Sequence, residues 1–170
     1  MSTEKPLVNR VAQSSLKVLN LGDYFPKEEI VSFDIADYLF KGFVLKEKDF
    51  REALAAFDWN NIEGKNLAIY CSTDAIIPLW SYMLVTTYAE PYANEIFQGN
   101  STDFLRHHYQ KVVGEINLED FKDQRIIIKG CSDKPVPPFA YNELTKRLRP
   151  VAKSIMFGEP CSTVPLYKSK

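Results

Sequence analysis

Residues 125–131 read RIIIKGC, and the three consecutive isoleucines restrict the fold more than any other feature of the chain. A half-exposed strand alternates apolar and polar residues. A continuous β-branched run instead predicts a strand covered on both faces, as in a parallel sheet. NLAIYC (66–71) has the same character, and KSIMFGEPC (153–161) and NEIFQG (94–99) are weaker strands. Between them lie helical segments. PLWSYMLVTTYAE (78–90) is apolar nearly all round and predicts a buried helix with proline in its first turn. STDFLRHHYQKVVGEI places Phe104, Leu105, His108 and Val112 on one helical face, with Ser101 as the expected N-cap. PFAYNELTKRLRP predicts a helix that stops near Pro150. Strand, helix, strand, helix with crossovers of this length means parallel βαβ units.

The N-terminal half is less regular. LKVLNL (16–21) and IVSFDI (30–35) suggest strands, and GFVL suggests another. KEKDFREALAAFDW carries Phe50, Ala53, Leu54 and Phe57 on one amphipathic stripe. The expected fold class is α/β: a three-layer sandwich with a mostly parallel central sheet and antiparallel strands added from the N-terminal segment. The expected strand order is 94–98, 66–71, 125–130, 153–158. At 170 residues the chain suits a single domain, 1–170, with residues 1–15 as a mobile arm.

Charge excludes some functions. With 21 basic and 22 acidic residues there is no basic excess to draw nucleic acid or an anionic membrane surface. No apolar run is long enough to span a bilayer, and the N-terminal MSTEKPLVNRVAQSS lacks the apolar core of a secretory signal. A cytoplasmic protein with reduced thiols is therefore expected.

The three cysteines share one context, CSTD from Cys71, CSDKP from Cys131 and CSTVP from Cys161, each at the carboxyl end of a strand candidate. Ligands of open α/β sheets gather at that edge. If the three strands are neighbours, their loops open on one rim and the sulfurs can converge. Thiolates favour zinc, for which three cysteines need one further donor. Asp74 and Asp133 follow the first two cysteines and are candidates for a fourth ligand, an outer acceptor or the base for a bound water. Three alternatives stay open. The same ligands suit an open iron–sulfur cluster. The cysteines can form a thiol redox site. They can also be small apolar packing residues in a non-catalytic module that binds a small molecule or a protein. None of the close cysteine pairs of a zinc ribbon occurs.

The remaining candidates have structural readings. Asp23, Asp34 and Asp37 read as turn or strand-edge carboxylates, and His108 as a half-buried residue on an apolar face. Trp80, Tyr82, Met83 and Tyr88 read as core, Lys134 as a surface cation, and KRLR (146–149) as a solvated helix end. No glycine-rich phosphate motif, HExxH or GxSxG is present, so no nucleotide cofactor is expected.

LKEKDFREAL, YCSTDAIIP, IKGCSDKPVP and PVAKSIMFGEPCSTVPLYK resemble the pattern of a bacterial family of proteins of unknown function, from about Val8 to Lys168. The resemblance implies a small single-domain cytoplasmic protein in which the three cysteine segments belong to the family pattern. It implies no activity.

Overall fold

The computed structural model describes residues 16–130 and 133–169. The predicted N-terminal arm lies outside them. The elements run β1 (Leu16–Leu19), β2 (Ile30–Asp34), α1 (Glu47–Ala56), β3 (Asn66–Tyr70), α2 (Leu79–Ala89), β4 (Glu95–Gln98), α3 (Ser101–Glu115), β5 (Arg125–Ile128), α4 (Pro138–Leu148), β6 (Ser154–Glu159) and β7 (Ser162–Lys168). The fold is α/β, as the sequence predicts.

The strands form two sheets rather than one, β1-β5-β6-β7 and β2-β3-β4. The expected joins β3–β4 and β5–β6 are present and parallel, but β3 and β5 do not pair. The N-terminal strands explain why. A strand has two edges, and β2 occupies the second edge of β3 while β1 occupies that of β5. Both N-terminal strands pair in parallel, so the expected antiparallel contribution from that segment is also corrected. The antiparallel strand is β7, joined to β6 by the two-residue turn Pro160–Cys161, a connection too short for any other pairing. Pro165 is tolerated because β7 is an edge strand, and a register irregularity skips Leu166. Gly158 holds φ +124°, and a Cβ there would meet the Ser162 carbonyl oxygen at 2.5 Å. GFVL supplies only an isolated bridge between Phe40 and Val44.

The described residues divide into two compact units, 26–108 and 16–25 with the described part of 109–169, the division falling within α3. In the 26–108 unit, Phe33, Leu67 and Ile69 of the sheet pack with Phe50 and Leu54 of α1 and Val85 and Ala89 of α2. The apolar character of α2 does not bury it all round. Ser81, Val85 and Ala89, four residues apart, form its inner stripe, whereas Leu79 is 74% and Met83 68% exposed. Asn66 is a buried polar residue with its partners supplied. Its side-chain amide donates to the Glu28 carbonyl at 3.3 Å, and its oxygen accepts from Asn94 at 2.8 Å. In the other unit, Ile126, Ile128 and Ile155 pack against Val113 of α3 and Ala140, Leu144 and Leu148 of α4. Tyr109 is fully buried there and donates its hydroxyl to the Leu21 carbonyl at 3.0 Å. No helix among the described residues is long and apolar enough to cross a membrane.

Candidate functional site

The carboxyl edge of β2-β3-β4 is built from three strand ends. β2 ends at Asp34 and β3 at Tyr70, which are register partners, and Cys71 and Ser72 follow directly. Oδ1 of Asp34 accepts the Ala36 amide at 2.9 Å, capping the short helical turn Ile35–Tyr38, and the Ser72 amide at 3.0 Å. One carboxylate oxygen thus ties the β2 exit to the β3 exit. Burial pushes the Asp34 carboxyl up. The Ser72 hydroxyl, the Ala36 and Ser72 amides and the Tyr70 hydroxyl together outweigh that, and hold it below its usual value of 3.8. The Asp34 charge, with smaller contributions from burial, the same hydrogen bond and Asp37, raises Tyr70 in turn.

β4 ends at Gln98 and the chain turns through Gly99, at φ +144°, into α3. An added Cβ at Gly99 would lie 2.6 Å from the Phe97 ring and 2.9 Å from the Asp103 Cβ, so only glycine fits this turn. The helix cap is Asn100 rather than the predicted Ser101. The Asn100 side chain accepts the Thr102 and Asp103 amides at 2.9 and 3.1 Å, and Asp103 returns a carboxylate oxygen to the Asn100 amide at 3.2 Å. This reciprocal pair fixes both side chains.

Between these exits lies a cleft of about 310 Å³, lined by Ile69, Tyr70, Cys71, Tyr82, Gln98, Gly99, Asn100 and Asp103. Cys71 is half-buried, and its sulfur lies 3.3 Å from the Thr73 hydroxyl. Burial raises the Tyr82 phenol above its ordinary value, with further contributions from the charges of Cys71 and Asp34. The cleft therefore combines a thiol, two phenols, two amides and a carboxylate on a braced floor.

Of the other predicted site residues, Asp74 is exposed in the loop after Cys71. Cys161 is exposed in the β6–β7 turn, in the unit that does not contain Cys71. Cys131 lies outside the described residues. The strand order expected to make the three cysteine loops neighbours does not occur, since β3 and β5 belong to different sheets. Among the described residues no three His, Cys, Asp or Glu side chains are grouped to hold a metal ion. Asp133 lines a second cleft, of about 460 Å³, at the carboxyl edge of β1, β5 and β6, together with Asn20, Asp23, Lys129, Lys134 and Glu159. Lys129 pairs with Glu159 at 3.5 Å there, and the other Glu159 oxygen is buried without a partner among the described residues. His107 stacks on Phe97 and His108 on Phe104, away from the lining of either cleft.

Sequence reasoning picked Cys71, read Asp34 as a turn or strand-edge carboxylate, as it is, and Tyr82 as core, and passed over Tyr70, Gln98, Asn100 and Asp103.

Residues 5–169 match the model of a family described as protein of unknown function (DUF2480). No curated protein and no solved structure matches the chain.

Proposed function

The chain belongs to the DUF2480 family, and from that premise we propose that it is a binding protein for a small polar molecule, received in the cleft between the β3 and β4 exits with Cys71 as its reactive group. The observation that carries this reading is the double acceptance of the Ala36 and Ser72 amides by Asp34, beside a cleft whose other wall is fixed by the Asn100–Asp103 cap. Carboxyl edges of parallel sheets are where such ligands bind, and 310 Å³ falls at the small end of ligand sites. The lining offers amides, phenols and a carboxylate to a ligand that both donates and accepts hydrogen bonds. A fragment screen by two-dimensional amide NMR tests it. Fragments that shift Tyr70, Cys71, Gln98 and Asn100 together support the site, and a library whose hits leave those amides unmoved removes it.

A second reading is zinc binding through the thiolates of Cys71, Cys131 and Cys161. Two observations favour it over apolar filling: Cys161 is exposed and Cys71 keeps partial solvent access, whereas packing cysteines are among the most buried residues. Metal analysis after chelator-free anaerobic purification decides. About one zinc per chain, lost in Cys71→Ser, Cys131→Ser and Cys161→Ser alike, is expected of this reading. Zinc retained by all three variants, or none in the wild type, removes it. A brown protein with iron and sulfide replaces zinc with a cluster.

A further inference from the structure

The opposite, amino edge of the β5-β6-β7 sheet carries a row of cations that neither reading uses. Register sets Arg125 beside Ser154, and Ser154 beside Lys168. Strands lie about 4.8 Å apart, and directly paired residues point to the same face, so a hydroxyl stands between two cations. Met156 and Pro165, paired two residues further along β6, continue that face as an apolar patch. With Lys153 and Tyr167 these residues line a cleft of about 340 Å³. The Arg149 guanidinium stacks 4.0 Å from the centre of the Tyr167 ring, adding a fourth cation at its border.

These charges have no carboxylate partner among the described residues. Lys46, Lys48, Arg51, Lys65, Lys122, Lys129 and Lys146 each pair with a carboxylate. Arg125, Arg149, Lys153 and Lys168 pair with none among the described residues. Lys27, Lys41 and Lys111 pair with no carboxylate either, but they lie on other segments of the chain, whereas these four gather around one cleft. A planar guanidinium, an ammonium and a hydroxyl converging from three strands form a donor set suited to phosphate oxygens.

We propose that this cleft binds a small phosphorylated molecule, its phosphate held by Arg125, Ser154 and Lys168 and its apolar body lying along Met156 and Pro165. Calorimetric titration at fixed ionic strength, with inorganic phosphate and phenyl phosphate as probes, tests it. Phenyl phosphate is expected to bind saturably, at least about threefold tighter than inorganic phosphate because of the apolar patch. Arg125→Gln/Lys168→Gln should weaken it by about tenfold or more. Lys48→Gln, on the exposed face of α1, should leave it unchanged. All three side chains are exposed, so the variants fold, and circular dichroism checks that they do. Absence of saturable binding by the wild type, or equal affinity in the double variant, overturns the proposal. Sedimentation with phosphatidic acid vesicles separates a lipid headgroup from a free ester. No sedimentation is expected, and sedimentation abolished by Arg125→Gln/Lys168→Gln would overturn the small-molecule assignment.

Discussion

Replacing Asp34 by alanine removes the brace between the β2 and β3 exits, and the structure gives the size of the effect. The Ala36 amide loses a helical cap, a loss that typically costs about 1 kcal/mol. The Ser72 amide loses a hydrogen bond to a charged acceptor. Such a bond contributes about 1.5–3 kcal/mol when well shielded, and this site calls for the low end because the carboxylate is partly solvated. Asp34→Ala should therefore cost roughly 2–3 kcal/mol, or about 5–10 °C in melting temperature for a chain of this length. Asp34→Asn is the informative control. Oδ1 accepts both amides, so asparagine keeps those two bonds and loses the charge and one of the two acceptor oxygens that the Ser72 and Tyr70 hydroxyls share, and should cost about 1 kcal/mol, less than alanine. Both tryptophans, Trp59 and Trp80, pack in the same unit as Asp34, so fluorescence-detected urea unfolding follows the relevant core. The advantage of wild type over Asp34→Asn has a defined pH window. The folded-state carboxyl lies below the usual 3.8, so its contribution is complete above that value and is lost as pH falls through the lowered one. Equal losses for the alanine and asparagine variants, or an alanine variant within about 0.5 kcal/mol of wild type, would refute the bracing argument.

Other perturbations test the surrounding structure. Gly99→Ala forces a side chain into a disfavoured backbone region and against Phe97 and Asp103, and should cost about 2–4 kcal/mol in urea unfolding. A cost under about 0.5 kcal/mol would show that the β4 exit is not rigid. Tyr109→Phe leaves the buried Leu21 carbonyl without its phenol donor and should cost about 1–3 kcal/mol. In spectrophotometric titration Tyr109 ionises late, because burial and the neighbouring Tyr141 push it up to about 12. Its contribution to stability is complete below pH 10 and is lost as pH rises from there through about 12, a limb that Tyr109→Phe should flatten.

The α/β class was legible because the continuous runs at 66–70 and 125–128 can only be doubly covered parallel strands. The division into two sheets was not. Apolar runs announce that a strand has neighbours without naming them, and strand 16–19 took the place beside β5 expected of β3, while strand 30–34 took the place beside β3 expected of β5. β7 escaped notice because Pro165 argues against a strand unless the strand is known to be an edge. α2 misled through composition: Leu79 and Met83 are apolar yet point outward, while Ser81 is buried with its hydroxyl on the Pro78 carbonyl at 2.7 Å. In the candidate site, Cys71 was found through its position at a strand end. Asp34 occupies the equivalent position one strand away, but an aspartate in a turn has so many structural uses that its type carries little signal. The Asn100–Asp103 cap was readable in the NSTD sequence, since either Asn100 or Ser101 fits the first position, and only the backbone decides between them.

The central claim is that a ligand cleft surrounds Cys71, and disulfide capture of fragments tests it most directly. In a Cys131→Ser/Cys161→Ser background, Cys71 is the one remaining thiol, and intact-mass spectrometry under partially reducing conditions ranks the fragments it retains. A binding cleft predicts that a small subset is captured well above the rest, and that Tyr82→Ala and Gln98→Ala, which alter the lining but not the thiol, change that ranking. A flat distribution that follows only the intrinsic reactivity of each reagent, and stays the same in both variants, would contradict the account.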